Sequence, residues 1–286
     1  MTPPLLPRED WSLLIERIET GRCTPFLGAG AAAELLPLGR EVAEELAKDF
    51  EYPFENTTDL IKVSQYVAIK YDRLYAKARI AAKFKNARLP DRHEQPNDSH
   101  RLLAKLPLPL YITTNYDDLM MQALKERRKD PRRDFCRWHS SIQDIQPLPN
   151  ETVPTVASPL VYHLHGQTDV MESMVVTEDD YLDYLTVSTN DDLLPMAVRR
   201  ALQSTTLLFI GYQLGDWNFR VILRSLPRLK VNNFIVIPAP NDSEDMKQRS
   251  QEYLSSYYAQ LNIKVYWGTA REFLSELFEH AGSRFN

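Results

Sequence analysis

The sequence predicts an α/β chain built on a Rossmann-like, doubly wound and mostly parallel six-stranded sheet, with a helical insertion at about residues 55–100. Three observations carry this. Short apolar runs recur along the chain, as expected of strands buried on both faces. Amphipathic helical patterns separate them. Four of the runs end in small or polar residues, at the strand ends where a doubly wound sheet gathers its ligand site.

The first helix runs from Trp11, with Leu14, Ile15 and Ile18 on one stripe and Gly21 as a stop. Thr24 to Leu27 is the first strand, and Gly28-Ala29-Gly30 the turn into a helix. Val42, Leu46 and Phe50 mark a strong helix. From Thr58 to Lys85, Leu60, Val63, Val67, Tyr71 and Leu74 repeat at three to four. Leu89 to Asn97 is a polar, proline-containing loop. The second strand is Leu108 to Thr114, followed by a helix over Asp117–Arg128. A long proline-bearing loop then leads to Pro159. Leu160 to His165 is the third strand and Thr206 to Ile210 the fourth, ending at Gly211 before a helix over Trp217–Leu226. Phe234 to Ile237 and Lys264 to Trp267 close the series, each with a helix after it. The series is continuous, so residues 1–286 are expected to form one domain.

Composition narrows the function. At 43% hydrophobic the chain can bury a sizeable core, and a net charge of −5 gives no general attraction to nucleic acid or an anionic membrane. The basic stretch Lys125 to Arg133 is expected to be a solvated helix end. Two distant cysteines, Cys23 and Cys136, exclude a disulfide scaffold and a four-cysteine zinc module, and fit a reducing compartment. No apolar run is long enough to span a bilayer, and the N-terminus lacks a secretory pattern. A cytoplasmic location is the expectation.

The strand ends hold the chemistry. Gly28-Ala29-Gly30 offers close backbone approach and a helix N-terminus, a common way to hold a pyrophosphate. A tight strand-to-helix turn explains it equally well. Ala31-Ala32-Ala33 follows, so the third glycine of a dehydrogenase fingerprint is missing, and a helical region stands where that fold needs its next strand. His165 precedes Gly166 at a strand tip, with His163 two residues back on the same face. A structural histidine and a functional one are both open here; a metal pair lacks an evident third ligand. Asn115 is either a turn residue or a functional amide, and Asp117 either polarises the site or caps its helix.

Taken together and in order, FLGAG (26–30), TTNYDD (113–118), HLHG (163–166) and GYQLGD (211–216) resemble the sirtuin-like NAD-hydrolysing domains of bacterial antiviral defence proteins. The resemblance runs from about Cys23 to Phe278. It implies Asn115 and His165 as the catalytic pair, with Asp117 in support. It also implies that Gly28, Ala29, Gly30, Ala31, Thr114, Gly166, Gly211 and Gln213 hold NAD+, which is substrate and needs no metal. The fourth motif more usually has serine at the position of Gln213. Deacetylases of the wider family need the zinc module this chain cannot build, so hydrolysis is the activity implied. In that chemistry Asn115 would orient water or the ribose, and neutral His165, with an ordinary pKa of about 6.5, would accept a proton.

Such domains are usually coupled to a sensing module: an ATPase, a repeat array, an Argonaute-type partner or a helicase. Eight residues follow Phe278. The expectation is therefore a homo-oligomer activated by another chain, or by the remainder of a longer protein, with no membrane or direct nucleic-acid contact. The competing function is a non-catalytic NAD or ADP-ribose sensor, which need not keep both Asn115 and His165.

Overall fold

A computed structural model of the chain describes residues 6–91, 93–95, 97–149, 153–188, 193–212, 219–220, 223, 231–240 and 243–285. Seven strands form one sheet: β1 (Cys23–Leu27), β2 (Leu110–Thr113), β3 (Arg132–Phe135), β4 (Leu160–His163), β5 (Thr206–Ile210), β6 (Asn233–Ile237) and β7 (Ile263–Trp267). Their order is β3-β4-β2-β1-β5-β6-β7 and every pairing is parallel. The chain leaves β1 towards β2 and β4, then crosses back to place β5 on the other side of β1. The order thus reverses at the β1/β5 boundary, where a doubly wound sheet opens a crevice beyond its strand ends.

The strand missing from the sequence reading is β3, Arg-Arg-Asp-Phe, which lies inside the expected loop. It is an edge strand paired with β4 alone, and its first half is not buried. An edge strand needs no apolar run, and charge there discourages further pairing. The central strands β1, β2, β4, β5 and β6 are buried along their whole length. Pro25 is tolerated inside β1 because β2 pairs with it only over Phe26 and Leu27.

Alternation along the strands feeds two cores. Leu27, Tyr111, Val161, Leu208 and Phe234 face helices α1 (Arg8–Glu19), α5 (Ser99–Lys105), α6 (Leu119–Glu126) and α10 (Ala270–Ala281). Phe26, Ile112, Tyr162, Phe209 and Ile235 face α7 (Glu178–Ser188), α8 (Met196–Ser204) and α9 (Glu244–Ala259). Apart from Phe219, Arg220 and Leu223, the helix expected over 217–226 lies outside the described residues, as does Gln213.

Between β1 and β2, helices α2 (Gly39–Asp49), α3 (Leu60–Lys70) and α4 (Arg73–Phe84) share a core of their own, built on Val42, Leu46, Val63, Val67 and Ile80. Met174 and Val176, from the segment after β4, complete it. The helix after β1, expected on sequence grounds, thus packs with the inserted helices and starts only at Gly39. A single 3-10 turn (Ala29–Ala32), which includes Gly30, follows Gly28 instead.

The basic stretch is not simply a solvated helix end. Lys129 Nζ donates to the Leu106 carbonyl at 2.9 Å and burial lowers its pKa to about 8. Arg133 on β3 bridges Asp118 (2.7 Å) and Asp169 (2.9 Å), tying the loop after β2 to the loop after β4.

Candidate active site

Beyond the C-terminal ends of β1, β2, β4 and β5 lies a cleft of ≈ 970 Å³. Its sheet side is lined by Ala29, Gly30, Thr114, Asn115, Asp117, His165, Gly211 and Tyr212. Its far wall comes from Leu36 to Arg40, from Thr58 to Lys62, and from Glu178 and Tyr181 of α7.

The two glycine turns are built against each other. Gly28 N–H donates to Ile210 C=O at 2.8 Å and Gly30 N–H to Gly211 C=O at 2.8 Å. A Cβ on Gly28 would meet the Gly211 oxygen and the Tyr212 ring at 2.8 Å; one on Gly30 would meet Gly211 Cα at 2.8 Å. Gly211 has φ +84°, and a Cβ there would stand 2.1 Å from the Ala31 nitrogen. The glycines thus make a tight turn from β1 into a 3-10 turn, with no α-helix starting there, and the N–H groups of Gly28, Gly30 and Ala31 serve the backbone. The turns shape the cleft floor by excluding side chains. Ala29 is exposed at the mouth, whereas Ala31 points into the core.

The other half of the floor is made of side chains. Asn115 follows the end of β2. Its N–H donates to Thr113 Oγ1 at 2.9 Å, its carbonyl accepts from His163 Nδ1 at 2.9 Å, and its Nδ2 donates to the Gly28 carbonyl at 3.1 Å. The amide is thus tied across to β1. Thr114 Oγ1 meets the Tyr212 hydroxyl at 3.0 Å, and that hydroxyl also reaches Leu27 C=O at 3.0 Å. Asp117 accepts the Leu119 N–H at 2.9 Å, the bond of a helix cap, while also lining the cleft.

His165 lies two residues past β4. Gly166 follows at φ +83°, with Ser173 where a Cβ would go, so Gly166 turns the chain and does not line the cleft. The His165 ring meets Tyr181 and Tyr184 of α7 edge to face, with centroids 5.5 and 5.2 Å away. It is 3% exposed, and burial alone lowers its pKa to about 3. The sequence-based expectation of an imidazole titrating near 6.5 fails on this desolvation. His165 is neutral at physiological pH, and its buried Nε2 has no partner among the described residues.

Helix α7 is pinned to the inserted helices. Lys77 pairs with Asp180 at 3.1 Å, both nearly fully buried, and Asp180 accepts the Val176 and Thr177 N–H groups. Gln65 exchanges two bonds with Asp179. The inserted helices thereby hold the aromatic wall around His165. Sequence periodicity could not reveal this wall, since α7 is held in place by Gln65 of α3 and Lys77 of α4, about a hundred residues away in the chain. Among the described residues no cluster of three or more potential metal ligands occurs.

A family model described as "SIR2-like domain" matches residues 109–266, more than half of the chain. The chain belongs to the SIR2-like family. The matched span includes Thr114, Asn115, Asp117, His165, Gly166 and Gly211, and stops short of the first glycine turn. Over 291 aligned residues the chain is 26% identical to "NAD(+) hydrolase ThsA" of Acinetobacter baumannii, covering 95% of this chain and 55% of that protein. It is 30% identical to "NAD(+) hydrolase ThsA" of Cytobacillus dafuensis over 69% of this chain and 36% of that protein. With "Defense-associated sirtuin 2" of Bacillus subtilis it shares 31% identity over 47% of this chain and 12% of that protein. This SIR2-like chain therefore spans about half the length of the first of these relatives, and less of the others. A solved "Sir2 homolog–NAD complex" aligns with TM-score 0.43 and 17% identity, covering 96% of this chain and 95% of that one.

Proposed function

We propose that this SIR2-like chain binds NAD+ in the cleft and hydrolyses its nicotinamide–ribose bond, releasing nicotinamide and ADP-ribose as the effector of an antiviral, abortive-infection defence. The observation that carries this is the convergence of Asn115 and His165, from different strand tips, on one cleft floored by Gly30 and Gly211. The names of the relatives support it.

In this reaction the C1′–N bond breaks and its electron pair leaves with nicotinamide, giving an oxocarbenium-like ribose. Water adds to C1′ and loses a proton. With its Nδ2 engaged by Gly28, Asn115 keeps its Oδ1 for water or a ribose hydroxyl. The neutral His165 is a weak base, yet the oxygen that has just added to C1′ is far more acidic than an imidazolium. Transfer to His165 is therefore downhill, and the pyrophosphate of a bound dinucleotide supplies the negative charge this buried ring lacks. Asp117 supports the site through its cap and its charge.

Further expectations belong to the same proposal: residues 1–286 act as one NAD+-cleaving unit in the cytoplasm, assemble with copies of themselves, and answer to a sensing module on another chain or in a longer polypeptide. No described helix is long and apolar enough to cross a membrane. The test is nicotinamide release from NAD+ at several protein concentrations, wild type beside Asn115→Ala and His165→Ala. Each variant should lose about 10²- to 10⁴-fold while still folding, as checked by circular dichroism. NAD+ bound tightly by calorimetry, but never cleaved at any concentration, would turn the reading to a sensor.

A further inference from the structure

His163 makes no contribution to the cleft lining, yet it is 1% exposed at the last position of β4, in register with Thr113 on β2 and Phe135 on β3. A buried imidazole at this place needs a reason, since an aliphatic residue would pack there without desolvating two nitrogens. Its Nδ1 lies 2.9 Å from the Asn115 carbonyl oxygen. A carbonyl only accepts, so Nδ1 carries the hydrogen and donates. Nε2 has no partner among the described residues.

Asn115 sits past the end of β2, where the sheet no longer dictates the backbone. Two of its three anchors come from residues that flank the cleft floor: Thr113 Oγ1 takes its N–H, and Gly28 C=O takes its side chain. The third anchor, on the carbonyl, is the His163 imidazole. Without it the Asn115 carbonyl loses this anchor, and a turn of its peptide would carry the amide with it. We propose that His163 is a positioning residue, whose Nδ1–H fixes the Asn115 peptide and so aims the Asn115 amide at the reacting ribose. This rests on the NAD+-cleaving reading above for its kinetic consequence, but not for the geometry.

The experiment compares three substitutions. His163→Asn keeps an N–H donor at the same bond distance from Cβ as Nδ1. His163→Gln carries its donor one bond too far, and His163→Leu has none. With NAD+ as substrate, kcat for nicotinamide release should fall about 10-fold or more in His163→Leu and His163→Gln, with KM within about 3-fold of wild type. His163→Asn should recover to within about 3-fold. In parallel, the carbonyl-carbon NMR resonance of Asn115 should move in His163→Leu and His163→Gln and return towards its wild-type position in His163→Asn. Should His163→Leu fail to fold, the Asn/Gln pair decides alone. Wild-type kcat in His163→Gln, equal losses in Asn and Gln, or an unmoved Asn115 carbonyl resonance would overturn the proposal. If the wild-type protein releases no nicotinamide, the functional reading fails instead, and the Asn115 resonance still decides the role of His163.

Discussion

The two halves of the cleft floor are built on opposite terms. At the tips of β1 and β5 the floor is backbone: Gly28, Gly30 and Gly211 interlock so closely that none has room for a Cβ. At the tips of β2 and β4 it is side chain: Asn115, Asp117 and His165 supply polar groups held by hydrogen bonds and burial, with His163 behind them on the Asn115 carbonyl. The first half leaves space for a ligand by prohibition. The second acts on the ligand. A change in the first half should therefore be felt as stability, and in the second as chemistry.

The largest stability effect should come from Gly211→Ala, which places a Cβ against backbone at a positive φ where no rotamer change can relieve it. We expect a loss of more than about 3 kcal/mol, read as a urea midpoint or as insoluble protein. A soluble, wild-type-stable Gly211→Ala would show that the two turns can part, and would erase the contrast.

Acid should produce the next effect. His100, His163 and His165 all have pKa values lowered by burial, His165 to about 3. Their folded pKa values lie below the unfolded value of about 6.5, so the unfolded chain binds protons that the folded one refuses. Stability is full above that value and falls as pH drops through it, for His165 at roughly 1.4 kcal/mol per pH unit until pH approaches 3. His165→Phe should therefore lose about 2 kcal/mol less stability than wild type between pH 7 and 5, measured by urea unfolding at both. Equal losses would mean that His165 does not enter the fold as a neutral ring.

Asn115→Ala should have the smallest effect on stability, about 1 kcal/mol, because it removes one half-exposed hydrogen bond to Gly28. Set beside the large loss of nicotinamide release expected for the same variant, this is the sharpest form of the comparison. A destabilisation as large as that of Gly211→Ala would make Asn115 a brace of the β1 turn first and a chemical group second.

Much of this architecture was legible in the chain. The central strands are continuous apolar runs, and their polar ends named the residues of both halves of the floor. Strand β3 was not legible, because Arg132, Arg133 and Asp134 sit at an edge where burial makes no demand on the pattern. Nor was the far wall of the cleft: Arg40, Lys62 and Tyr181 read as ordinary helix residues until the packing of α2, α3 and α7 brings them together. The His-Leu-His alternation predicts one face for His163 and His165, but β4 ends at His163, so the pleat does not carry through to His165. One anchors a peptide, the other faces the cleft.

The order of residues along the chain was enough to locate the central strands and to name the small and polar residues near their tips, because burial on two faces and freedom at a strand end are local demands that each segment answers alone. Only the tertiary structure decided that the glycine turns would lock on each other, that α7 would be pinned by a buried lysine–aspartate pair, and that His165 would be stripped of water and held neutral. Those outcomes depend on the distance between atoms far apart in the chain, and both desolvation and steric exclusion act through that distance alone.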